Sequence, residues 1–267
     1  MKNFYAKITV LFIAVIILSG VCYKLAKDTS ANMSDSATTY NISSWLAKNN
    51  ISINKDIIDT STQKVVSAKL INTAKNHDEI SKKILGDDMT SSGANTYNGK
   101  NGTVTFTNDN FYIVPQENVF EKYIVKADKY SFGKSSEEIM KSMGFDLNGS
   151  MISVREDGKK LIADITKTID SKPVFNDMIT VFITNKASLE ATGIWYIQDG
   201  GITEKRNAKS AADALTELLK YTQGYDKITV RSMTLGYKAE NFKNDTAQIK
   251  PYWRIELESG DTIYIEA

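Results

Sequence analysis

The sequence predicts an α+β fold set behind an N-terminal membrane helix, and three observations lead there. An uncharged apolar run from Ile8 to Tyr23 opens the chain. Beyond it, short stretches of period-two hydrophobicity alternate with stretches of period 3.6. With 3 prolines and 15 glycines in 267 residues and 42% hydrophobic residues, the chain is neither low-complexity nor disordered and can bury a proper core.

The run ITVLFIAVIILSGVCY lies between Lys7 and Lys24. As a helix it covers about 24 Å, and Leu25, Ala26 and snorkelling lysines extend it toward the roughly 30 Å of a bilayer core. A segment apolar on every face, preceded by Lys2 and Lys7, reads as an insertion signal rather than a buried core helix. We divide this part into a cytoplasmic tail (1–7), a transmembrane anchor (8–26) and a polar linker (27–40). Ile8, Leu11, Phe12, Val15, Ile16, Ser19 and Gly20 are set aside as anchor residues and a candidate helix contact, because small residues such as Ser19 and Gly20 let helices approach closely. Two alternatives stay open: a signal cleaved after Thr29-Ser30-Ala31, and a lipoprotein box at Leu18–Cys22, which departs from that pattern at Val21. Lys2, Lys7 and the α-amino group favour a cytoplasmic N-terminus in the cell membrane, with the main domain extracellular.

Ile42, Trp45 and Leu46 have helical spacing within 41–50, and Ile51–Ile53 is extended. Residues 65–70 read as a strand, and 78–85 as a helix ended by Gly86. Residues 86–102 read as a polar loop, and TVTFTNDNFYIV as a β-hairpin. A helix over 134–143 carries Glu137 and Glu138 in its first turn, where acids suit the dipole. Three strands follow: MISVRED, KLIADITKTI and DMITVFITN. The strand GIWYIQD, a helix over 209–220 with Leu215, Leu218 and Leu219 on one face, and three further strands complete the chain. The order strand, helix, strands thus occurs twice. We divide the extracytoplasmic part into two antiparallel-sheet-plus-helix modules, 41–170 and 171–267, although ordinary sheet-and-helix packing gives the same string without duplication.

The residue inventory excludes much chemistry. With 33 basic and 32 acidic side chains the net charge is +1, so the footprint of a nucleic-acid binder is missing. One cysteine, Cys22, permits no intrachain disulfide. The one histidine, His77, falls in the polar run Lys75–Glu79 and reads as solvated, which leaves no Cys/His zinc site and no histidine triad. No phosphate loop, HExxH or EF-hand motif is present, so no cofactor or metal is assigned. Paired carboxylates at Glu137-Glu138 or at Glu256 and Glu258 are the remaining catalytic candidates. The first pair diverges on a helix and the second resembles a solvated stripe. Tyr112, Tyr123, Trp195 and Tyr196 are candidates for an aromatic platform, although most such residues belong to cores.

Lys172-Pro173-Val174-Phe175-Asn176, the helix Ser210–Leu215, Leu235-Gly236-Tyr237 and Lys250-Pro251-Tyr252-Trp253-Arg254-Ile255 together resemble the YycI family and the related YycH proteins. The opening Leu46–Ile53 is similar as well. These are membrane-anchored accessory regulators of the YycG/YycF (WalK/WalR) two-component system of Gram-positive bacteria. The resemblance implies a single-pass, non-enzymatic protein with α+β external domains, of YycI/YycH-like or PepSY-like topology. Its implied partners are a sensor histidine kinase and a sister anchored YycH-type protein, in a homo- or hetero-dimer. It carries over no catalytic, cofactor or metal residue. Glu266 stands where the family pattern leads us to expect asparagine, which leaves YycI, YycH-like and PepSY-like membership open.

The matched residues Pro173, Phe175, Gly236, Tyr237, Pro251, Trp253 and Arg254 read as structural. Pro173 and Pro251 suit strand starts or edges, where a missing N–H is harmless. Trp253 alternates with Ile255 and Leu257 on a core face, Arg254 and Glu256 take the opposite face, and Gly236 suits a bulge. Two other function classes stay in play: an extracytoplasmic binding module for cell-wall ligands or peptides, and a carboxylate-based cell-wall hydrolase.

Overall fold

The computed structural model describes residues 38–72, 77–107, 110–116, 129–158, 160–183, 189–243 and 246–267. The anchor residues Ile8 to Gly20, and Tyr123, lie outside them. No described helix is long and apolar enough to cross a membrane. The described chain is α+β and dominated by strands, and it divides into two compact units. One unit holds the described residues up to Thr62 with Lys209–Met233 and Ile255–Ile265. The other holds Gln63–Ala208, Thr234–Arg254 and Glu266–Ala267. Asp170 and Ser171, where the sequence division falls, form the turn that joins two strands inside this second unit, and both adopt positive φ.

In the first unit, helix α1 covers 38–48 and leads into β1 (Ile51–Ile53). Its buried side is Ser43 and Leu46, while Trp45 is 39% exposed. Buried Ser43 is satisfied by donating to the Tyr40 carbonyl at 3.0 Å. β1 lies parallel to the start of β12 (Ile228–Lys243), with Ile51 opposite Ile228. Helix α4 (Ala211–Tyr221) buries Ala211, Ala214, Leu215 and Leu218, the i, i+3, i+4, i+7 face of an amphipathic helix. Its N-cap is Ser210, whose hydroxyl accepts the Asp213 N–H at 3.1 Å and donates to the Asp213 carboxylate at 2.7 Å.

The second unit contains helices α2 (His77–Leu85) and α3 (Lys129–Ser142) and strands β2 (Lys64–Asn72) to β11 (Tyr196–Asn207), together with parts of β12 and β13 (Thr246–Leu257). Its strand order is β11-β2-β13-β12-β9-β10-β6-β5-β4-β3, with β7 (Met151–Asp157) and β8 (Lys160–Ile169) branching from β9 (Lys172–Ile183). Strands β5 (Gly102–Thr107), β6 (Asn110–Pro115), β8, β9 and β10 (Leu189–Gly193) turn apolar side chains such as Phe106, Phe111, Ile165 and Val181 to one side. Ile80 and Ile84 of α2 and Phe132, Ile139 and Met140 of α3 meet them there.

The differences from the sequence reading have physical causes. The expected loop over 86–102 contains a hairpin, β3 (Thr90–Gly93) and β4 (Thr96–Gly99), with Asn95 at φ +63° in its turn. Its residues TSSG and TYNG carry no apolar alternation to announce it, because β3 is wholly exposed. Helix α3 starts five residues before the expected 134. β10 is a separate strand, pairing β9 and β6 where only the following strand was expected. His77 is not simply solvated: it begins α2 and stacks on the buried Phe106 ring, centroids 4.1 Å apart and planes 6° apart.

Ser210 is the cleanest local test of this architecture. Ser210→Ala removes the side chain that caps α4 at its N-terminus and is expected to lower stability by about 1 kcal/mol, read from the midpoint of denaturant unfolding.

Candidate functional site

The motif Lys172–Asn176 makes an irregular joint in the second unit. β8 and β9 pair antiparallel, but between the partners Thr166↔Met178 and Thr168↔Pro173 there is one residue on β8, Lys167, and four on β9, Val174–Asp177. Released from β8, these four find other partners. Val174 is opposite Tyr237 of β12 in a parallel register. The Asn176 side chain completes the ladder, donating to the Ala239 carbonyl at 2.9 Å and accepting the Ala239 N–H at 2.8 Å. Asp177 accepts the Tyr196 N–H at 3.0 Å, and the next carbonyl, Met178, accepts the Ile194 N–H at 3.1 Å.

Most of the motif residues singled out in the sequence meet at this joint. A Cβ on Gly236 would sit 2.5 Å from the Phe175 ring and 2.5 Å from the Pro173 carbonyl oxygen. The glycine is therefore required by close approach rather than by a bulge. The Arg254 guanidinium lies 4.8 Å from the centroid of the Phe175 ring, a cation–π contact. Tyr237 is fully buried, its hydroxyl accepts the Val66 N–H at 3.0 Å, and burial raises its pKa. Trp253 is buried on a face alternating with that of Arg254. Pro173 is the second residue of β9, but Pro251 lies inside β13 and not at its start. The Pro251 carbonyl accepts the Ala267 N–H at 2.9 Å. A Pro251 N–H would point to that same side, so neither longer neighbour of β13 loses a hydrogen bond.

Beside the joint is a cleft of about 440 Å³. Ile71 of β2, Trp195 just before β11 and Ile197 near its start form its floor; Ile80 of α2 and Met143 and Phe145 after α3 form its apolar walls. Gly144, at φ +89°, ends α3 here, and a Cβ on it would press on the Lys83 side chain at 3.3 Å. Glu79 and Lys83 line one side as an ion pair of 2.8 Å, and Asp146 lines the other. The Trp195 indole N–H donates to the Asp146 carbonyl at 3.1 Å, and Lys167 lies 4.8 Å from the Trp195 ring.

Asp177 holds the Tyr196 N–H next to this floor and is fully buried. Burial pushes its carboxyl up to about 8, against the opposing pull of the Tyr196 N–H and the Lys167 charge. Burial also lowers the pKa of Lys167, while Asp177 and Asp146 resist that change. Sequence reading placed no weight on Asp177. A signal was present: it alternates with Ile179, Val181 and Ile183, and so puts an acid on the inward face of a core strand.

The other candidates are dispersed. Glu137 pairs with Lys141 at 2.6 Å and Glu138 with Lys134 at 4.0 Å, while Glu256 accepts the Ser232 hydroxyl at 2.7 Å. Among the aromatic candidates, Trp195 and Tyr196 are buried. Tyr112 is half-exposed and donates to Glu190, which pushes its hydroxyl up to about 12. Among the described residues no three His, Cys, Asp or Glu side chains are grouped to hold a metal.

Comparison with known proteins gives one family: residues 29–267 match the YycI protein family. No curated protein sequence matches the chain. The crystal structure of an uncharacterized protein from Eubacterium rectale has a similar fold, with TM-score 0.52 and 13% identity over 82% of this chain and 87% of that one. YycH from Bacillus subtilis superposes with TM-score 0.49 and 13% identity, over 78% of this chain and 53% of that one.

Two measurements test the joint. Gly236→Ala forces a carbon against an aromatic ring and a backbone oxygen and should cost about 3 kcal/mol by overpacking, read by denaturant unfolding. The raised Asp177 carboxyl makes the folded state hold a proton that the unfolded chain releases above its ordinary pKa of 3.8. Stability should therefore fall as pH rises from 4 to 8, by at most about 1.4 kcal/mol per pH unit. Asp177→Asn keeps an acceptor for the Tyr196 N–H and should flatten that dependence, leaving the variant more stable than the parent at pH 8. An unchanged slope would show that Asp177 does not titrate in this way.

Proposed function

Because the chain belongs to the YycI family, matching it over residues 29–267, we propose that it is a non-enzymatic accessory regulator of the YycG/YycF two-component system. The family match carries this reading, since it covers nearly everything beyond the apolar N-terminal run. Residues 8–26 hold the protein in the cell membrane by a single pass, with residues 1–7 in the cytoplasm, and the linker 27–40 leads to the extracellular part. Its partners are the sensor histidine kinase and a sister anchored YycH-type protein. Contacts rather than chemistry carry the signal. The ion pairs of Glu137 and Glu138 and the family-like residues gathered at the β9 joint are in keeping with a role in packing.

The apolar run gives the regulator a means of acting inside the bilayer. A helix there would satisfy its own backbone polar groups and could meet the kinase's own helices through side-chain packing, with Ser19 and Gly20 permitting close approach. The test is crosslinking and recovery of the full-length protein from native membranes, beside a version whose residues 1–27 are replaced by an unrelated membrane helix. The parent is expected to recover the sensor kinase and the sister protein, and the exchanged version to lose the kinase. Recovery of neither by the parent would overturn the reading. Retention of the kinase after the exchange would move the contact to the external part.

A further inference from the structure

We propose that the cleft of the second unit is a receptor site for one neutral, apolar side chain of an extended peptide that adds along the open edge of β11. This goes beyond the kinase reading and does not depend on it.

The cleft selects by shape and charge. Ile71 and Ile197 face each other across the β2–β11 pair, so their side chains share one face, and Ile80 and Met143 stand over it. Ile197 is 41% exposed, a large apolar side chain left open at the mouth. About 440 Å³ is room for one or two large side chains. Glu79 and Asp146 line the cleft, and among the described residues its one lining cation, Lys83, is bound to Glu79 at 2.8 Å. A carboxylate or phosphate entering here would meet two acids and a lysine already engaged, whereas a neutral apolar group leaves water favourably.

The edge beside the cleft selects a peptide over a free alkyl chain. Among the described residues β11 ends the strand order and pairs with β2 alone. The Tyr196 N–H points away from β2, to Asp177. Antiparallel alternation then turns the Gln198 N–H and C=O to that outer side as well, one residue from Ile197. An added strand would bond to Gln198 and place alternate side chains on the face of Ile197, beside the cleft. The register shift between Asp199 and Glu204 interrupts the edge just beyond, confining the added strand to a few residues.

The test uses the full chain in lipid nanodiscs and acetyl-Thr-Val-Xaa-Val-Thr-amide, where Xaa is p-benzoylphenylalanine. Irradiation and mass spectrometry should place the crosslink on cleft residues such as Met143, Ile80 or Ile197. The Phe peptide should compete, the Ser and Glu peptides at least tenfold less well, and a Phe peptide N-methylated at the backbone likewise. Ile197→Lys, a change at an exposed position, should weaken capture at least tenfold, and Glu79→Gln, which releases Lys83, should improve competition by the Glu peptide. Crosslinks scattered outside the cleft, or capture unaffected by Ile197→Lys, would overturn the proposal. So would competition by the N-methylated peptide or by n-decanol equal to that of the Phe peptide, since either would mean that an apolar group binds without strand addition.

Discussion

A β-strand has two edges, and β9 has to serve three neighbours. β8 and β10 flank its second half, and β12 pairs with it at Val174. The pairing with β12 falls where β8 loses contact for four residues, Val174–Asp177, opposite the single residue Lys167. Within that gap β9 is free to bond in parallel to β12, first through its backbone at Val174 and then through the Asn176 amide. By Ile179 it is back in register with β8 on one side and paired with β10 on the other. The continuity of the strand order through the second unit rests on this joint, and so does the glycine at 236, which lets Phe175 and the Pro173 carbonyl lie against β12.

The same gap accounts for a buried acid. Where β8 no longer supplies partners, the chain crossing from β10 to β11 brings the Tyr196 N–H into the interior, and a buried donor without an acceptor is costly. Asp177 supplies the acceptor. Full burial then raises the pKa of the carboxyl and favours its neutral form. Trp195, next to the residue that Asp177 holds, is fixed on its other side by its indole bond to the Asp146 carbonyl, and this is what gives the cleft a rigid floor.

Much of this was legible in the sequence because periodicity reports burial. α2, α4 and the strands β7, β8, β12 and β14 (Thr262–Glu266) lie within a few residues of where period 3.6 and period 2 place them. The β3–β4 hairpin was illegible, since exposed polar strands carry no pattern. Pro251 was misplaced because a proline's tolerance depends on which neighbour its missing N–H would face, and that is tertiary information. The family-like residues around Pro173 and Gly236 could be noticed in the sequence, but not the fact that Phe175, Gly236 and Arg254 touch across 79 positions (254 − 175). The cleft was out of reach for the same reason. Its lining comes from four places in the chain, none of which has a motif of its own.

Neither compact unit is a continuous stretch of polypeptide, and this governs the order in which the molecule can be made. α1 and β1 are complete by residue 53, yet their partner strand begins only at Ile228, and their unit closes with residues as late as Ile265. Because synthesis adds residues from the N-terminus onward, α1 must wait for almost the whole chain before its apolar side is covered. The second unit likewise awaits Thr234–Arg254 for the strands that join β2 to β9. Such distant pairings make for slow folding. No single cut in the gene would release either unit intact.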